Sequence, residues 1–143
     1  MTSDALANLV KIRKLKPEIS SPREFDGLLR SAVERATDAR NASLSLASRF
    51  TLAYDASHAL ALAALRAHGY RSEDRYLVFQ CLTHTLGWSA DQWRLLDYCH
   101  KKRNLAEYEG HLDVDDALVE ELMALVDALL AQVPALRARL PHQ

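Results

Sequence analysis

Apolar residues recur along this chain at three- and four-residue intervals, and no run shows the strict alternation of a half-buried strand. The pattern divides the chain into helices. A first covers Ser3 to about Lys16 and ends at Pro17. A second opens at Ser21-Pro22-Arg23-Glu24, a capping box with proline at the first helical position, and continues to about Ala42. A third runs from about Ser45 to His68 and stops at Gly69. Ser72 caps a fourth that reaches Leu86 and Gly87, and Ser89 with Gln92 opens a fifth that ends at Gly110. Asp113 and Asp116 start a sixth, whose stripe of Leu118, Leu122, Val126 and Leu129 lasts until Pro134.

The third helix is rich in alanine, so a neighbour can approach closely along Phe50, Tyr54, Ser57, Ala61 and Leu65, which makes it the expected central helix. Short links between long helices favour antiparallel packing. The expected fold is all-α: an up-and-down four-helix bundle with additional short helices at the ends or in a connection, one domain over 1–143 with its core at about 22–133.

Composition narrows the function classes. Lys and Arg total 18 against 19 Asp and Glu, for a net charge of −1, which excludes a generally basic nucleic-acid coat or a polybasic anchor; any polyanion site must be local. Cys81 and Cys99 lie inside helical patterns without close-spaced partners, so neither a zinc site nor a disulfide scaffold is expected, and a reducing cytoplasm is the simplest setting. The segment with Lys11, Arg13, Lys14 and Lys16 lacks the apolar core of a secretory signal, and Asp127 interrupts the C-terminal apolar run short of a membrane span. No glycine-rich phosphate loop and no Ser-His-Asp set is present, and no cofactor is expected. Asp55 and His58 share a helix face, yet no second motif of that kind completes a metal site.

The most distinctive stretch is Tyr98 to His111. At helical pitch His100, Arg103, Asn104, Glu107 and His111 fall on one face with Tyr108 at its margin, beneath Trp93 and Leu96. Glu107 is placed to pair with Arg103 at i, i+4. Lys101 and Lys102 read either as ordinary surface charge or as extra phosphate contacts.

In three places the chain resembles the HEPN family of small helical bundles, which includes ribonuclease toxins and defence effectors. Phe50 to Leu62 looks like its alanine-rich second core helix, followed by the Gly69-Tyr70 break; Arg75 to Gly87 looks like its third helix; and Arg103-Asn104 sits where the family places an Arg, a polar residue and then a His four to six residues on. The resemblance covers roughly 45–130. It implies metal-independent RNA cleavage in which the His handles a proton and the Arg steadies phosphate, with two copies of the motif meeting across a homodimer interface. Here Tyr108 follows Arg103 after four intervening residues, and His111 follows after seven. A tyrosine of pKa near 10 is a poor general base, which favours binding over cutting.

The resulting expectation is a cytoplasmic, homodimeric bundle that binds RNA, with cleavage as a further activity open to it. Arg103, Asn104, Tyr108 and His111 form its candidate catalytic set, and His100, Lys101, Lys102 and Arg103 its RNA contacts. A cognate antitoxin or nucleotidyltransferase is an implied partner. The competing expectation is a catalytically inert adaptor that dimerises or binds a partner protein through the same face.

Overall fold

The computed structural model describes residues 2–140, so Met1 and the last three residues of the 1–143 span lie outside the described residues. Four long helices build the molecule: α2 (Pro22–Ala39), α3 (Leu46–Ala67), α6 (Ala90–Glu109) and α7 (Asp116–Gln132). The shorter elements are α1 (Thr2–Lys11), α4 (Arg75–Gln80), α5 (Leu82–Leu86) and a 3₁₀ segment, Val133–Arg139. The fold is all-α, as the periodicity predicts.

Side-chain contacts fix the direction of each long helix. Arg66 at the end of α3 binds Glu24 at the start of α2, while Arg49 at the start of α3 donates to the Ala39 carbonyl at the end of α2, so the two are antiparallel. Tyr54, early in α3, meets His100, late in α6. Trp88, just ahead of α6, donates to Gln132 at the end of α7. Arg40 pairs with Asp127 and Arg137 with Asp26, which runs α7 against α2. The result is up, down, up, down, with α4 and α5 carried in the link between α3 and α6.

The third helix is central, as expected from its alanines. Ala53, Ala56, Ala61, Ala63 and Ala64 are fully or almost fully buried, and their small side chains let α2 and α7 pack close to its backbone. Phe25, Phe50, Tyr54 and Phe79 supply the bulk of the same core. Burying each such ring is worth roughly 1.5–3 kcal/mol.

Four details differ from the sequence reading. The first helix stops at Lys11, not Lys16: Arg13 takes a left-handed φ of 61°, and Lys14 N–H bonds to Leu9 O while Arg13 N–H bonds to Val10 O. That is a Schellman ending with arginine in the position usually held by glycine, and it turns the chain so that Leu15 enters the core. A two-residue antiparallel pairing then forms, β1 (Lys16–Pro17) with β2 (Tyr70–Arg71), too short to leave any alternation in the sequence. The fourth predicted helix is two, broken at Cys81, and its cap is Asp74; Ser72 instead accepts from the Asp74 N–H. The Ser21 box is half-formed: Ser21 Oγ accepts from Glu24 N–H at 3.0 Å, but the Glu24 carboxylate turns to Arg66. No helix among the described residues is long and apolar enough to cross a membrane.

Candidate functional site

Tyr54 is fully buried on the ridge of α3, and a buried phenol needs partners for its hydroxyl. It finds two. His100 Nδ1 of α6 lies 2.9 Å from the oxygen, and Arg75 Nη1, from the first residue of α4, donates to it at 3.1 Å. Asn104, one turn beyond His100, donates from Nδ2 to His100 Nε2 at 3.2 Å. With Nε2 accepting, the His100 proton resides on Nδ1 and points at Tyr54. The Tyr54 oxygen then accepts twice, from His100 and from Arg75.

Cations surround the same ring. The Arg103 guanidinium lies 5.3 Å from its centroid and that of Arg75 lies 5.7 Å away, both within cation–π range. His100 stacks nearly parallel to the ring at 6.0 Å, and Phe79 meets it edge-on. His58, one turn after Tyr54, packs edge-to-face on Phe79. Three chain segments therefore converge on one tyrosine.

Electrostatics define what this cluster carries at neutral pH. Burial pushes the Tyr54 phenol upward against the opposing influence of Arg75. Burial, then the positive charge of Arg75 and Arg103, holds His100 below its usual range. Burial first and the same arginines with His100 next bring His58 down to about 4. The rings are therefore neutral, and the charge resides on two guanidiniums. Neither Arg75 nor Arg103 forms an ion pair with a carboxylate among the described residues.

Burial of the neutral His58 ring also makes stability depend on pH. A histidine with a folded pKa below its unfolded value binds fewer protons folded than unfolded, so stability falls as pH drops from 6.5 towards 4. The effect is on the order of 2–3 kcal/mol. Chemical denaturation at pH 7 and pH 4.5 should show this loss, and His58→Gln should remove much of it.

Of the residues expected at the site, His100, Arg103 and Asn104 come together. The others separate from them. Lys101 pairs with Asp97 at 2.9 Å and faces away. Lys102 lines a different cleft, of about 340 Å³, with Tyr98 and the start of α7. Tyr108 is 91 % exposed at the end of α6. Gly110 ends that helix at φ 72°, so His111 lies beyond it, along an open groove of about 390 Å³ shared with Arg103, Glu107 and Thr51. The expected Glu107–Arg103 ion pair does not form, because Arg103 turns inward to Tyr54. No cluster of three metal-ligating residues exists among the described residues.

Sequence reasoning placed Tyr54 on the close-packed ridge of the third helix but left Arg75 out. The available signal was Tyr54 with His58 at i, i+4, two polar rings on an otherwise alanine-lined ridge. Arg75 leaves no local trace, since its role depends on where the α3–α6 link crosses α3. No family model, no curated protein and no solved structure matches the chain.

Proposed function

We propose that this HEPN-like bundle binds RNA, with a backbone phosphate held by Arg75 and Arg103 over Tyr54. The observation that carries the reading is the convergence of two guanidiniums without a carboxylate partner on one buried tyrosine. Arginine forks suit phosphate oxygens, and a surface of net charge −1 confines attraction to such a local site.

The same groups would serve metal-independent cleavage. His100 is neutral near pH 7, and a ribose 2′-hydroxyl replacing Asn104 at Nε2 would deliver its proton there. The 2′-oxygen then bonds to phosphorus, the bond to the 5′-oxygen breaks, and that oxygen leaves with a proton from solvent. In this reading His100, rather than Tyr108 or His111, handles the proton, and Arg75 with Arg103 stabilises the phosphorane charge. A toxin–antitoxin or defence component is the corresponding biological role.

Incubation with a mixed RNA pool in excess chelator tests the reading. Cleavage is expected to rise with pH and to level off at a lower pH than an ordinary histidine would give, since the neutral imidazole is the active form. His100→Asn should abolish it, while Tyr108→Phe should leave it within about twofold, as the exposed phenol touches nothing in the cluster. Retention without cleavage would restrict the function to binding. No retention by wild type would sink the RNA reading.

A second reading has its own support. Tyr98, Leu105 and Tyr108 are exposed along the outer face of α6, with Tyr76 beside it. Such a stripe suits protein docking, either a second copy in a homodimer or a partner protein. Light scattering on wild type and Tyr98→Glu separates self-association from the monomer.

A further inference from the structure

Arg75 faces two ways. Besides reaching Tyr54, it lines a pocket of about 240 Å³ with His58, Leu62, Ser72, Glu73 and the Glu24–Arg66 pair. That volume lies below the roughly 300 Å³ at which sites for drug-sized ligands begin, so it suits a single planar group. Beyond Arg71, Ser72 and Glu73 opens a second, smaller hollow of about 140 Å³, lined by Arg13, Lys14 and Lys16. None of these three cations has an ion-pair partner among the described residues. The order across the surface is therefore cation, pocket, cation.

We infer that the pocket between Arg75 and the Arg13–Lys16 turn is a base subsite that selects guanine, with one phosphate on Arg75 and Arg103 and the next on Lys14 and Lys16. The inference rests on the RNA reading above and deepens it. A nucleotide presents phosphate, base and phosphate in the same order as these three features. Leu62 and the His58 ring, neutral at pH 7, supply the apolar wall against which a base can lie.

The choice of guanine comes from the carboxylates. Glu24 is committed to Arg66 through both oxygens, at 3.0 Å each. Glu73 is exposed and makes no hydrogen bond or ion pair among the described residues, although it lines both hollows. A carboxylate only accepts, and it has two oxygens side by side. Guanine alone among the four bases presents two adjacent donors, N1–H and N2–H, on one edge. Adenine and cytosine set an acceptor beside their amino group, and uracil sets its single N–H between two carbonyls. Each of these would place an acceptor lone pair against the Glu73 carboxylate.

Calorimetric titration of the protein with the 3′,5′-bisphosphates of guanosine, adenosine, cytidine and uridine tests this. Guanosine bisphosphate is expected to bind about tenfold more tightly than the other three, in line with a bidentate base contact. Glu73→Gln, at an exposed position that should not disturb folding, is expected to bring guanosine to the level of the others. The Lys14→Ala/Lys16→Ala double variant is expected to weaken all four alike. Equal affinities for the four, or a guanosine preference that survives Glu73→Gln, would overturn the base subsite. Equal binding that Arg75→Ala removes would do so while leaving the phosphate reading intact. Absence of bisphosphate binding overturns the subsite as well, and absence of Arg103-dependent RNA retention in addition overturns the RNA reading itself.

Discussion

Replacing both Arg75 and Arg103 with alanine should remove RNA retention almost completely, and each single replacement should weaken it about tenfold or more. The expectation follows from the charge state of the cluster. Its histidines and tyrosine are neutral near pH 7, so the two guanidiniums hold all of the positive charge that faces the Tyr54 ring. A filter-binding or polarisation titration across salt concentrations reads this directly. On a single strand each neutralised phosphate adds about 0.7 to the steepness of log K against log salt, so losing the one phosphate held by this pair should make the double variant shallower by about 0.7. Lys101→Ala should leave the slope unchanged, because that side chain is engaged with Asp97 on another surface. A double variant that retains RNA with the wild-type slope would refute the site.

The largest loss of stability is expected from Arg66→Met. Arg66 is 2 % exposed, yet every donor direction is answered: Glu24 takes a two-point contact, the carbonyls of Glu18, Ile19 and Tyr70 accept at 2.9–3.3 Å, and the Glu18 carboxylate lies at 3.2 Å. Methionine would fill much of the volume but strand those acceptors. Leaving these carbonyls without a donor and the part-exposed Glu24 carboxylate without its partner costs about 2–3 kcal/mol, which for a chain of this length lowers the melting temperature by roughly 6–10 °C. Acid should mimic part of the effect. The Arg66 hydrogen bond holds the Glu24 carboxyl below its ordinary 4.5, so its contribution is present above that pH and is lost as pH falls through the depressed folded value. Thermal melts of wild type and Glu24→Gln at pH 7 and pH 3 separate this from the histidine effect, which both proteins share.

Features set by local chemistry were legible in the sequence. Ser21-Pro22 opens α2 where the capping rule puts it, and Gly87 and Gly110 close their helices in left-handed conformations as glycines do. Tertiary demands were not legible. Nothing near Arg13 announces a helix end, because the left-handed turn is compensated by burial of Leu15. The break at Cys81 likewise lacks a local breaker; it lets Phe79 reach Tyr54 while Leu82 also enters the core. At the site, His100, Arg103 and Asn104 were readable because one helix spaces them. Arg75 was not, since it arrives from a different segment. Tyr108 lies within the helix but at the margin of that face, where it points to solvent, and His111 lies past Gly110, where helical pitch no longer places it.

The short pairing of Lys16 and Pro17 with Arg71 and Tyr70 bears on how the molecule moves. It ties the basic turn to the chain just after α3, and the Glu18 N–H bond to Gly69 O adds a third tie. Leu15 in the core and the Arg66 contacts to the Glu18 and Ile19 carbonyls anchor its far end, which leaves the exposed turn at Ile12, Arg13 and Lys14 as the lightly held part. Segments so lightly tethered open on their own, far more often than the whole protein unfolds. Amide exchange at residues 12–14 should therefore run ahead of that in α3, and it should slow if RNA bridges this turn to the bundle.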